Sequence, residues 1–137
     1  MSGLQDLSYA ATQVAHNFGA TCVVGTAAYA LITDATPAKL RKCAWLAASG
    51  WAMQALSGAA FGAISYYFYA EFPDIHGIAI AALCIKLLCV VVSAVLLLWY
   101  LSRENGWEDA QRLTVWRALG ALGATALTAA AFLRWFS

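Results

Sequence analysis

The stretch Ile78 to Leu101, IAIAALCIKLLCVVVSAVLLLWYL, carries a single charged side chain, Lys86, and neither proline nor glycine. An α-helix needs about 20 consecutive apolar residues to cross the hydrocarbon core of a bilayer, and this run exceeds that length. Three further stretches read in the same way, at about Ser8 to Ile32, Ala44 to Tyr69 and Leu113 to Trp135. The composition agrees: the chain is 63% hydrophobic and 11% charged, whereas a soluble domain carries roughly a quarter of its residues as charges. The expected fold class is therefore all-α, an integral membrane four-helix bundle in up-down-up-down order, forming one transmembrane domain over residues 1–137.

The connections between these stretches are short, which makes successive helices antiparallel neighbours. Asp34 and Pro37 stand in the first, Glu71 to Asp74 in the second, and Ser102 to Gln111 in the third. The sequence places Lys39, Arg41 and Lys42 in the first loop and Arg103 and Arg112 in the third, while the N-terminal segment and the second loop hold no Lys or Arg. The positive-inside rule then predicts both termini on the non-cytoplasmic side, with Arg134 the one dissenting charge. Met1 to Asp6 holds no basic residue, so the first apolar run reads as a retained helix and not as a cleaved signal peptide. Tyr66 to Tyr69, Trp99, Tyr100, Trp107 and Trp135 fall at the span boundaries, where amphipathic rings anchor a membrane protein.

A net charge of +1 supplies no basic stripe for nucleic acid. The expected partners are the lipid bilayer, a hydrophobic cofactor, and other membrane subunits or further copies of the chain. Small residues offer the means of association, because lipid gives helices no hydrophobic contrast and close backbone approach must supply the contacts. Gly58-x-x-x-Gly62 beside Ser57 gives the second helix such a face, and Gly120, Gly123 and Ala124 give one to the fourth. Cys22, Cys43, Cys84 and Cys89 show neither a CxxC pair nor zinc-ligand spacing and read as small buried hydrophobes.

The polar residues inside the spans carry the functional information. Gln13, His16 and Asn17 lie three and four residues apart, near one face of the first helix. His16 and Lys86 each fall about eight residues past the expected start of their helices, roughly 12 Å of rise. Both helices start from the same side, so the two residues are expected at similar depth and within reach of one another. An ammonium in mid-span costs roughly 2.5–3.5 kcal/mol on insertion scales, and such groups face a partner, a cavity or a functional path. His76 and Asp74, with Glu71 close by, form a second and shallower candidate, a metal site at the mouth of the third helix.

His16 followed by Gly19, Gly25 and Tyr29, the basic entry Lys39 to Lys42, and Ile85-Lys86-Leu87-Leu88 together resemble a superfamily of small four-helix membrane proteins. That superfamily contains the bacterial haem-dependent protoporphyrinogen oxidases and the membrane domain of copper-resistance protein D. The resemblance implies residence in the bacterial cytoplasmic membrane, haem b as cofactor and His16 as a ligand to the haem iron. Lys86 is implied as the catalytic partner; Gln13 and Asn17, which the helical spacing places beside His16, are the further candidates for lining the cofactor site. The activity implied is oxidation of a porphyrinogen with electrons passed to quinone. Two other classes stay open: a non-catalytic accessory subunit of a larger respiratory or photosynthetic complex, and copper or other cation transport.

Overall fold

The computed structural model describes residues 3–103 and 105–137. It holds four helices, α1 (Gly3–Ile32), α2 (Pro37–Tyr69), α3 (Ile78–Ser102) and α4 (Asp109–Phe136), and no strand among the described residues. The helices pack in a closed cycle, α1 on α2 and α4, and α3 on α2 and α4. No diagonal backbone approach links α1 to α3 or α2 to α4. The four-helix architecture expected from the apolar runs is thus present.

Three helices begin earlier than their apolar runs do. α1 starts at Gly3, α2 at Pro37 and α4 at Asp109. Hydropathy marks the part of a helix that suits lipid, whereas the helix itself begins where the backbone is capped. Thr36 caps α2, its side chain accepting from the Lys39 N–H at 3.4 Å, with Pro37 at the first helical position, where its missing N–H costs nothing. The basic residues Lys39 to Lys42 therefore lie on the first turns of a helix and not in a loop. Glu108 caps α4, and the Gln111 side chain closes the turn by accepting from the Glu108 N–H at 3.2 Å. α2 stops at Ala70, whose left-handed conformation (φ 56°) points its N–H back to the Tyr66 carbonyl. Gly77, at φ 50°, turns the chain into α3.

α3 and α4 are long and apolar enough to cross a membrane, α3 much the more strongly, with a mean hydropathy of 2.8 over its best window against 1.3. α1 and α2 have the length, but more polar residues are distributed along them. Large apolar side chains point away from the bundle on every helix, among them Leu56 on α2 and Leu87, Leu88, Val91, Val95 and Leu98 on α3.

The interior divides at mid-height. The lower half, which carries the 33–36 connection and the one between α3 and α4, holds Val23, Leu40, Trp51, Leu97, Tyr100, Trp107, Val115, Trp116 and Leu119 in one hydrophobic cluster. The upper half, which carries both termini and the 70–77 loop, buries only small apolar residues, Ala79, Ala82, Ala126 and Ala129, with Cys89 near the boundary; Cys89 and Ala126 continue the same cluster upward. The polar residues Gln5, Gln54 and Ser57 are buried beside them.

The small residues work elsewhere than the Gly58-x-x-x-Gly62 pattern suggests. Gly58 and Gly62 have nothing within 4 Å of where a Cβ would stand. The close crossing of α1 and α2 occurs at Gly19 and Gly50: a Cβ on Gly50 would lie 2.8 Å from Cys22 Cβ and 2.9 Å from the Gly19 carbonyl oxygen. That spacing lies below any ordinary carbon contact, so only glycine permits the approach. On α4, Gly123 and Gly120 do serve packing, against Val23, Val24, Ala27 and Leu31 of α1.

Candidate functional site

The α1–α2 crossing at Gly19 and Gly50 builds the site directly above it. Because Gly19 has no side chain, the Gln54 amide fits beside it, 3.2 Å from the place of a Cβ, and donates to the His16 carbonyl. Ser57 lies three residues further along the same face of α2 and reaches the His16 ring, with Oγ 2.7 Å from Nδ1. Phe61, one turn higher again, meets the imidazole edge-on at 5.8 Å between centroids and stacks on Tyr9. Gln5 donating to the Tyr69 hydroxyl at 2.6 Å closes the top of the same hairpin.

Lys86 enters from α3, across the diagonal. Its Nζ stands 3.1 Å from His16 Nε2, the contact that joins α1 to α3 although their backbones do not approach. Each side chain is half-buried. The expectation that the two residues meet at one depth is realised even though α1 starts at Gly3, because His16 and Lys86 sit at matching heights above the lower connections.

The hydrogen-bond directions follow from the chemistry of the atoms. A carbonyl only accepts, so the Ser57 hydroxyl, bonded to the Met53 carbonyl, spends its proton there and receives one from His16 Nδ1. With Nδ1 a donor, neutral His16 presents a lone pair at Nε2, and Lys86 donates into it. A proton on Nε2 would instead oblige Lys86 to be the acceptor and hence neutral. Either way, the pair carries at most one positive charge. Among the described residues no carboxylate lies within ion-pair distance of Lys86; the ion pairs present are His76 with Asp74 and Arg112 with Asp109.

Of the other expected site residues, Gln13 and Asn17 are exposed and bond to each other at 2.8 Å, with Gln13 donating to Asn17 Oδ1. They do not meet the His16 ring. One hundred degrees of turn per residue separates neighbours three and four positions apart enough that the inner edge of this patch faces the bundle while its outer edge does not. His76 Nε2 lies 3.2 Å from Asp74 Oδ1, with both side chains largely exposed on the loop. No group of three or more His, Cys, Asp or Glu residues capable of holding a metal ion occurs among the described residues.

Gln54, Ser57 and Phe61 complete the site and were not singled out for it from the sequence, where Ser57 read only as a small packing residue. Their signal was available: a glutamine in an otherwise apolar span, followed at i+3 and i+7 by a hydroxyl and an aromatic ring, marks one face of α2. The four cysteines are free thiols and take no part. Neither a protein-family model, nor a curated protein, nor a solved structure matches the chain.

Proposed function

We propose that all four helices cross the bacterial cytoplasmic membrane with both termini on the non-cytoplasmic side. In this reading the His16 and Lys86 centre binds a hydrophobic redox cofactor, haem b being the one the donor set suits. The observation that supports it is the way His16 is held. Its Nδ1–H is anchored on Ser57, which fixes the ring and leaves Nε2 as the donor nitrogen, the arrangement in which ligating histidines are usually oriented. Nε2 is directed across the bundle at a second nitrogen, Lys86 Nζ, rather than into a carbonyl.

Bound haem would supply one-electron chemistry. The chain's own residues would do the rest. Ser57 holds the imidazole tautomer, and Gln54 ties the α1 backbone to α2 at the same level. Lys86, a long and flexible amine without a carboxylate partner, is placed to swing from Nε2 to an acidic group on a ligand, or to take and return a proton at Nζ. The reaction suited to such a centre is the oxidation of a porphyrinogen-type substrate with quinone as acceptor, as the resemblance implies.

The test is the optical spectrum of detergent-purified protein expressed with added haem precursor. A Soret band that His16→Ala abolishes, and that Ser57→Ala weakens or shifts, is expected. A wild-type protein that purifies folded but shows no Soret band ends the haem reading.

A second reading, an accessory subunit of a larger respiratory or photosynthetic complex, is favoured by the open face of α2, where Gly58 and Gly62 have no neighbour within 4 Å. Stoichiometric co-purification with larger subunits, undisturbed by His16→Ala, would support it over the first. Cation passage has less behind it, since Asp74 and His76 bond to each other on an exposed loop.

A further inference from the structure

At the opposite end of the molecule, a cationic pocket lies where α3 hands over to α4. Arg103 follows the last turn of α3, and its guanidinium carbon lies 5.2 Å from the ring centroids of both Trp99 and Trp107. The two indoles stand 4.8 Å apart at 76°, so they form a corner over which the guanidinium charge sits. The corner is itself braced from behind. Trp107 is buried, stacks on Tyr100 at 5.3 Å and donates its Nε1–H to the Tyr100 carbonyl at 3.2 Å.

A guanidinium drawn to aromatic rings by its charge still has its N–H groups to offer a ligand. Among the described residues, Arg103 has no hydrogen-bond or ion-pair partner, in contrast to Arg112, which is bonded to Asp109 at 2.9 Å. The cavity in front of it, about 370 Å³, is lined by Trp99, Arg103, Trp107, Gln111, Thr114 and Val115. Gln111 spends its carbonyl oxygen on the Glu108 N–H, which leaves its amide NH₂ as a donor. The Thr114 hydroxyl donates to the Ala110 carbonyl. The cavity thus combines cationic and amide donors with indole and valine walls, a lining made for an anionic oxygen group attached to something apolar.

We infer that the Arg103 pocket binds the phosphate of an anionic phospholipid. The inference rests on the membrane placement proposed above, which puts this end of the bundle at the cytoplasmic interface. There indole rings gather and anionic headgroups meet basic side chains. A soluble phosphate offers the same oxygens but no acyl chain or glycerol to cover Trp99, which is 45% exposed.

The experiment reconstitutes the full chain in nanodiscs of phosphatidylcholine containing phosphatidylglycerol, then reads retained lipid by native mass spectrometry. Wild type is expected to retain phosphatidylglycerol selectively. Arg103→Ala should reduce that selectivity about tenfold, the loss expected for one charge-assisted contact. Arg103→Lys should fall between, because an ammonium neither stacks in the corner nor presents a planar edge. Gln111→Ala gives a smaller loss, and Arg134→Ala, at the other end of the bundle, gives none. Circular dichroism verifies that each variant is folded. Equal retention of both lipids by wild type, or unchanged selectivity in folded Arg103→Ala, overturns the inference. Displacement of the bound lipid by millimolar inorganic phosphate also overturns it, in favour of a soluble anion. If the chain does not enter nanodiscs at all, the membrane placement falls, and this inference with it.

Discussion

The two halves of the bundle use different materials. Below mid-height, indoles, leucines and valines fill the interior, and Trp116, Leu97 and Ser93 are almost wholly excluded from solvent. Above it the helices bury alanines, and the space between them is crossed by side-chain hydrogen bonds, Gln54 to His16, His16 to Ser57, and Lys86 to His16. The lower half is held by dispersion over large surfaces, which is strong and indifferent to chemistry. The upper half is held by directional polar contacts, each of net worth only about 1 kcal/mol. Apolar packing and directional polar contacts are thereby separated along the helix axes, and the His16 and Lys86 pair sits on a scaffold whose rigidity comes from elsewhere.

The largest expected effect tests that separation directly. Trp116→Ala removes the most deeply buried indole of the lower half and should destabilise the purified protein by about 3–5 kcal/mol. Phe61→Ala, an aromatic truncation in the upper half, should cost less than half as much. Thermal unfolding in one detergent compares the two, and equal losses would mean that the halves share a single core.

Next come the glycines. Gly50→Val drives a side chain into Cys22 Cβ and the Gly19 backbone, both rigid, and should cost about 1–3 kcal/mol or more. Gly58→Val, on the open face of α2, should stay within about 0.5 kcal/mol in the isolated chain. A large loss at Gly58 would show that this face is covered by a second copy under the conditions of measurement.

A smaller effect separates the two members of the polar pair. His16→Ala leaves an amine without its acceptor inside the bundle and should cost about 1–3 kcal/mol. Lys86→Met removes the amine itself, leaves a neutral imidazole nitrogen, and should cost less. If Lys86→Met were the more damaging, the amine would be fastening the two hairpins together and would not be free to serve a ligand.

The smallest concerns an oddity of the lower half. Ser93 Oγ and Trp116 Nε1 are buried with no hydrogen-bond partner. Other hydroxyls on these helices, those of Thr12, Thr21 and Ser57 among them, donate to the carbonyl four residues back. Ser93→Ala should therefore leave stability unchanged or raise it by up to about 1 kcal/mol. A clear loss would mean that Ser93 holds a water or a ligand group in the native protein.

The number of helices, their order and the single amine at the heart of α3 were legible in the sequence, because an unbroken apolar run and an isolated charge depend only on neighbours along the chain. The placement of His16 opposite Lys86 was legible for the same reason, since helical rise converts residue number into height. Helix beginnings were less so: Thr36 and Glu108 cap polar turns that hydropathy overlooks. The tertiary structure alone decided which small residues touch. The Gly58 and Gly62 pattern looks better on paper than Gly19 and Gly50, but helix contact depends on the rotation of both helices, and that rotation is set by how all four pack. It also decided that His16 turns inward while Gln13 and Asn17 turn out, that Ser57 orients the ring, and that Gln54 ties the backbone beside it. The sequence by itself thus determined the elements and the heights of their polar groups. Azimuth, and with it the partner of each polar atom, came only from packing, because one helix carries no information about where its neighbours stand.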